Sequence, residues 1–293
     1  MKRILVTGST GFIGKYTIDI LLKKSVKVYS IVRKSKKNIK LIKKIKKENR
    51  NFYAILFNKN TELKKKIFKI KPDVLINLAT NYITSPNHRE IPDVINSNIT
   101  FPTLVLDECC KNKKIKIINI CSIMQCANNK IDSPENFYAL TKILFKKTMT
   151  FYQKKYPKNV FINLYIGDTY GSNDNRKKIL PTIYKNYIKN KKTIIQTKNL
   201  QLNILHVHDV VNGIKILVDK INKSCDFFIR SNTKFDLIKV INKYNSKKRK
   251  KIKLHFNNNK ISKINRVNLK PIPKWKQKIN VINSFYNDLN ESN

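Results

Sequence analysis

The stretch Val6-Thr7-Gly8-Ser9-Thr10-Gly11-Phe12-Ile13-Gly14 limits what this chain can fold into more than any other. An apolar run, Ile4 to Val6, precedes it, and an amphipathic one (Ile13, Thr17, Ile20, Leu21) follows. That is the order strand, glycine turn, helix. The chain has only six glycines, and three of them fall in this heptad. Gly8 supplies the backbone angles of a tight turn, Gly11 lets the main chain approach a pyrophosphate, and Gly14 lets helix and strand pack closely. The free N–H groups and the positive dipole end of the new helix then face phosphates. Glycine also marks ordinary turns, but a strand before and a helix after make nucleotide binding the reading.

At 293 residues the chain can hold a large α/β core, as one domain or as a main domain with a small appendage. Its formal charge of +44 would ordinarily point to nucleic acid or an anionic membrane surface. Here Asn and Ile are abundant beside Lys, Gly is scarce, and the lysines are spread along the whole chain. That is the mark of AT-rich codon usage, so a nucleic-acid partner is not expected, although a polyanion-binding Rossmann protein stays open as an alternative. The run Lys247–Lys251 reads as a solvated turn and is the best local candidate for a polyanion contact. Cys109, Cys110, Cys121, Cys126 and Cys225 show no metal-ligand spacing, so no metal is expected, and their odd number favours a reducing compartment. The apolar run after Met1-Lys2-Arg3 is too short for a signal peptide, and no run is long enough to span a bilayer. A cytoplasmic protein is expected.

Further strands are predicted at Val26–Val32, Asn51–Phe57, Asp73–Leu78, Ile115–Cys121 and Asn159–Ile166. Basic helices are predicted at Ile39–Lys47 and Thr61–Lys69, and further ones at Asn98–Cys110, Ile179–Lys189 and Ile279–Leu289. In a dinucleotide fold a carboxylate after the second strand holds the adenosine ribose 2′-hydroxyl. At that place stand Val32 and Arg33, followed by Lys34, Lys36 and Lys37. A 2′-phosphate suits them, so NADP(H) is favoured over NAD(H). The fifth strand delivers Ser122 at its C-terminal end, where ligands bind in open α/β sheets. Tyr138 and Lys142 follow, four apart on one helix face. The same spacing recurs at Tyr187/Lys191 and Tyr244/Lys248, but only the first pair follows a strand-end serine. Ile204–Val211 reads as strand into helix with Asp209 at the N-cap.

The G-x-x-G-x-x-G spacing, with Ser122 and Tyr138-Ala139-Leu140-Thr141-Lys142, resembles the extended short-chain dehydrogenase/reductase superfamily, the NAD(P)-dependent nucleotide-sugar epimerases and dehydratases. Phe161-Ile162-Asn163-Leu164 leading to Tyr170-Gly171 brings the resemblance closest to a branch with CDP-abequose-synthase-like 4-ketoreductases and 4-epimerases. It covers nearly the whole chain. It implies a Rossmann-like, doubly wound parallel sheet with a small C-terminal substrate-binding part. The cofactor domain would be 1–165, joined by about 203–232, with 166–293 mostly substrate-binding. It further implies that Gly8, Thr10, Gly11, Phe12, Ile13, Gly14, Ala79, Asn98 and Lys142 face the cofactor. Ser122, with Asp168 and Tyr170 of the stretch Gly167–Asp174, would face a nucleotide-sugar substrate, and the resemblance admits a homodimer. Hydride moves to or from the nicotinamide while Tyr138 handles the proton; Lys142 brings a phenol that titrates near 10 toward working range, and Ser122 orients the substrate oxygen.

Departures from the family pattern bear on the substrate. Cys126 and Ala127 stand where the family often has Tyr-Gly, Phe57-Asn58 where it has Gly-Asp, and Leu202 where an arginine clamps the substrate diphosphate. A cofactor-binding protein that has lost catalysis is therefore a further alternative. Relatives that dehydrate the sugar carry an Asp-Glu pair after the strand-five hydroxyl residue, and epimerases acting beside the carbonyl carry a Cys two places on. Here Ile123 and Met124 can exchange no proton. Reduction of a 4-keto sugar is expected, with 4-epimerisation as the alternative, unless Asp132 or Glu135 supplies the missing acid–base group.

Overall fold

A computed structural model describes residues 1–111, 114–172, 174–195, 200–257 and 268–290. Six strands alternate with helices from the N-terminus: β1 Lys2–Thr7, β2 Val26–Arg33, β3 Phe52–Phe57, β4 Val74–Asn77, β5 Lys116–Ser122 and β6 Val160–Ile166. The helices are α1 Phe12–Leu22, α2 Lys36–Glu48, α3 Leu63–Ile70, α4 Ile91–Ile95, α5 Phe101–Cys110 and α6 Phe137–Lys155. β4 is buried along its whole length and β5 up to Ser122, which is why they read as unbroken apolar runs. The sheet order is β3-β2-β1-β4-β5-β6, extended by Cys225–Ile229 and Lys270–Pro271, and every pair is parallel. The winding reverses between β1 and β4, and a crevice opens at the C-terminal ends of such neighbours. The doubly wound α/β fold expected from the sequence is the one found.

The helices follow from the same patterning. α1 buries Gly14, Thr17, Ile18 and Leu21, one stripe of a 3.6-residue period. α2 buries only Ile42 among its 13 residues, so its lysines form a solvated face. The predicted helix at Asn98 starts earlier: a π turn, Asn96–Thr100, joins α4 to α5. Pro102 has no N–H to give to the carbonyl of Asn98, and the Phe101 N–H bonds back to Asn96, five residues away.

The chain divides into two compact units. The first comprises the described residues of Met1–Ile166, Val211–Ile229 and Arg266–Trp275; the second those of Gly167–Val210, Arg230–Asn265 and Lys276–Asn293. The second has its own core, in which Phe235, Leu237, Phe285 and Leu289 pack with Tyr187 and Tyr244. Asp209 is not an N-cap. It lies in the first turn of the helix Val207–Lys220, and its carboxylate accepts the N–H groups of Lys278 and Ile279 at 2.9 and 3.1 Å. No helix among the described residues is long and apolar enough to cross a membrane.

Candidate active site

The glycine turn is built as a cradle. Gly8 has φ +68°, and a Cβ there would lie 2.5 Å from the N of Ala79. A Cβ on Gly14 would lie 2.1 Å from the carbonyl oxygen of Gly8, so α1 can sit this close to β1 only without a side chain. Gly11 N–H closes the turn on Gly8 O at 3.0 Å, and Gly11 is the N-cap of α1. That helix has no side-chain cap and no acidic residue in its first turn, and the buried Ser9 hydroxyl makes no hydrogen bond among the described residues. A buried hydroxyl without a partner, beside N–H groups left uncapped, fits a pyrophosphate. Thr10, Phe12 and Ile13 complete the turn, half-buried. Arg33 ends β2 exposed, followed by exposed Lys34, Lys36 and Lys37. The nearby carboxylate of Glu62 is taken by the N–H groups of Asn58 and Lys59 and by Lys66.

Ser122 leaves β5 as the cap of a short 3₁₀ turn. Its Oγ accepts the N–H of Met124 at 3.2 Å, and its own N–H donates to Gln125 Oε1 at 2.8 Å. With a lone pair taken, the hydroxyl proton can be donated to a substrate oxygen. α6 starts at Asn136, whose Oδ1 accepts the Ala139 N–H at 3.0 Å, and presents Tyr138 and Lys142 toward the sheet. Both are buried, and the Lys142 ammonium lies 5.9 Å from the Tyr138 ring centre. Lys142 Nζ donates to Ile120 O at 2.9 Å, one strand position from Cys121 and two from Ser122. Burial brings its pKa down to about 8. Tyr82 packs edge-on against Tyr138 at 4.8 Å, and its hydroxyl donates to Met124 Sδ at 3.8 Å. Asn136 Nδ2 donates to the same sulfur at 3.6 Å, so Met124 forms a wall beside the phenol.

Asn98 serves the protein itself. Its Oδ1 accepts from Asn81 N and Thr80 Oγ1 at 2.6 and 3.2 Å, and its Nδ2 donates to Asn81 O and Thr141 Oγ1 at 3.0 and 2.9 Å. Thr141 in turn donates to Tyr138 O at 2.7 Å. Asn98 therefore ties the segment after β4 to the helix turn that carries the phenol. Ala79 gives its N–H to Thr7 Oγ1 at 3.2 Å and backs Gly8. Cys126 is fully buried, with its thiol pushed up to about 11 by burial, and is filler in an apolar cluster with Cys121, Tyr165 and Phe228.

In the second unit, Asp168 is paired with Lys178 at 2.9 Å. The Tyr170 hydroxyl donates to Val281 O at 3.1 Å, deep in that unit's core. Asn173 of the stretch Gly167–Asp174 lies outside the described residues. Leu202 packs against the same core and pairs with Phe235. A cavity of about 760 Å³ in this unit is lined by Tyr170, Arg176, Lys177 and Lys185, among others. The two other Tyr-x-x-x-Lys tyrosines, Tyr187 and Tyr244, bond to each other through their hydroxyls at 3.0 Å.

The family model "NAD dependent epimerase/dehydratase family" matches residues 4–228, more than three-quarters of the chain. The chain belongs to that family. Among curated proteins it is 27% identical over 227 residues to CDP-abequose synthase of Yersinia pseudotuberculosis, covering 76% of each chain. Its fold matches UDP-glucuronic acid 4-epimerase from Bacillus cereus in complex with UDP-glucuronic acid and NAD, with a TM-score of 0.80 at 19% identity and 99% of both chains covered. It also matches dTDP-glucose 4,6-dehydratase from Bacillus anthracis in complex with NAD, with a TM-score of 0.77 at 19% identity over 99% of this chain and 96% of that one.

Proposed function

We propose that this family member is an NADP(H)-dependent oxidoreductase that reduces the 4-keto group of a nucleotide sugar, with Tyr138 as the proton donor. The observation that carries this reading is the pairing of a buried acid, Tyr138 on α6, with Ile123 and Met124 after Ser122, neither of which can exchange a proton. Ser122 donates a hydrogen bond from its hydroxyl to the substrate oxygen and so orients it. Tyr138 gives that oxygen its proton as the carbon is reduced, and the buried Lys142 ammonium stabilises the phenolate left behind. When bound, the nicotinamide supplies the hydride. Where a dehydrating site needs a proton donor and acceptor, Met124 offers a thioether already accepting from Tyr82 and Asn136. Asp132 is no substitute: against the cost of its burial, Lys147 and Lys146 hold its carboxyl below the ordinary range, at 3.0 and 3.2 Å.

The nucleotide-sugar class is supported by the CDP-abequose synthase relative and by the nucleotide sugar bound in the solved UDP-glucuronic acid 4-epimerase neighbour. Those neighbours hold NAD; NADP(H) is read from Arg33 and the cations after it. A 4-epimerisation would use the same three side chains, with hydride returned to the opposite face. Reduction is favoured because an NADP-leaning site draws on a reducing pool. A panel of nucleotide sugars mixed with NADPH, followed at the nicotinamide absorbance, tests the proposal. Consumption with a 4-keto sugar is expected, and none with any member of the panel would refute it.

A further inference from the structure

Five strands each place one polar side chain at the same level of the sheet, and these side chains form a single hydrogen-bonded row. The register sets Thr7 beside Asn77, Asn77 beside Asn119, Asn119 beside Asn163, and Asn163 beside Asp226. Thr7 Oγ1 donates to Asn77 Oδ1 at 2.7 Å, and Asn77 Nδ2 to Asn119 Oδ1 at 3.0 Å. Asn119 Nδ2 donates to Asn163 Oδ1 at 3.1 Å, and Asn163 Nδ2 to Asp226 Oδ1 at 2.8 Å. Thr7, Asn77, Asn119 and Asn163 are all buried. At one end, Thr7 Oγ1 accepts the N–H groups of Leu78 and Ala79, each at 3.2 Å, in the segment against which Gly8 rests. At the other, Asp226 Oδ2 meets Lys146 Nζ of α6 at 3.3 Å.

The row has a direction, and the carboxylate fixes it. A carboxylate only accepts, so Asn163 must turn its NH₂ toward Asp226 and its oxygen toward Asn119. The same requirement passes to Asn119, to Asn77 and to Thr7. The Thr7 hydroxyl is left to donate along the row, with only its lone pairs for Leu78 and Ala79. A reversed member would set two NH₂ groups or two oxygens face to face among buried side chains, where unpaired polar groups are costly. Apolar side chains would fill these positions without that risk.

We propose that Asp226 is a positioning residue for the cofactor turn: through Asn163, Asn119, Asn77 and Thr7 it holds the N–H groups of Leu78 and Ala79 in place beside Gly8. It touches no reacting atom and acts across four strand spacings, roughly 19 Å. The inference rests on the proposed cofactor reading for its effect on binding, while the row itself can be tested without cofactor.

The test is a double-mutant cycle. Asp226→Asn keeps the shape but allows donation as well as acceptance, which releases the direction of the row. In cofactor-free protein, Ala79 amide exchange relative to Leu75 of β4 should accelerate about five- to tenfold. NADPH should bind about fivefold more weakly. With Thr7→Val present the link is cut, and Asp226→Asn should no longer change either readout; with Thr7→Ser it should still do so. Asn119→Val cuts the row at its centre and gives the same test if Thr7→Val does not fold. Sites this far apart normally act additively. An unchanged Ala79 exchange ratio in Asp226→Asn, or the same change with and without the cut, would overturn the proposal. Failure of wild-type protein to bind NADPH or NADH would refute the cofactor reading instead, and the exchange ratio would still decide the role of Asp226.

Discussion

Lys142 should cost this protein stability, and removing its charge should return it. Its ammonium is buried, makes its hydrogen bond to Ile120 O, and has no carboxylate partner among the described residues. A pKa brought from 10.5 to about 8 means that keeping the proton in the fold at pH 7 costs about 3 kcal/mol. Methionine fills nearly the same space, and the lost hydrogen bond offsets about 1 kcal/mol of the gain. Lys142→Met should therefore be more stable by about 2 kcal/mol at pH 7. In a unit of this size that is about 4 to 8 °C in Tm. The folded pKa lies below the unfolded one, so the cost is full below pH 8, shrinks as pH rises from about 8 to 10.5, and is gone above. Calorimetry at pH 7 and at about pH 10 should show a large gain at the first and little at the second. A lower Tm at pH 7, or an equal gain at both, would refute the reasoning. Turnover should be lost in either case, the usual exchange of stability against a strained functional group.

Four further outcomes follow from the same geometry. Tyr138→Phe should keep fold and cofactor affinity while turnover falls about 10²- to 10⁴-fold, measured by NADPH consumption. Tyr187→Phe and Tyr244→Phe should retain turnover but each lose about 1 kcal/mol in denaturant unfolding, since each removes the hydrogen bond between the two buried hydroxyls; loss of activity in either would show that the wrong tyrosine was chosen. Arg33→Asp should narrow or invert a preference for NADPH over NADH in fluorescence titrations, and equal wild-type affinities would remove that role for Arg33. Gly14→Ala must push the α1 backbone away from Gly8 and should lower stability by about 3 kcal/mol, with cofactor affinity falling alongside in the same titrations.

The parts legible in the sequence are those whose partners are local. The glycine turn needs only its own strand and helix, so Gly8 and Gly14 announced the fold, and the apolar runs of β4 and β5 marked the centre of the sheet. Spacing alone could not separate Tyr138 from Tyr187 and Tyr244; the strand-end serine favours the first, and the other two prove to be a buried pair in a different core. What stayed hidden depends on contacts far apart along the chain. Asn98 looks like a cofactor residue by pattern, yet it is filled by Thr80, Asn81 and Thr141, the last 43 residues away. Asp209 sits where an N-cap is expected, but its partners are Lys278 and Ile279. The two-residue strand Lys270–Pro271 is too short to leave a pattern. The asparagines of β4, β5 and β6 are unremarkable one at a time, and only strand register turns them into a row.

The proposed reaction is tested most directly by following one hydrogen. The protein is incubated with a nucleotide 4-keto-6-deoxy sugar and NADPH carrying deuterium at its transferable position, and the sugar product is weighed by mass spectrometry. Reduction predicts one deuterium in each product sugar, with one NADPH oxidised for each. A sugar changed without deuterium uptake, or a 4-keto-6-deoxy product formed from an intact hexose without added reductant, would contradict it.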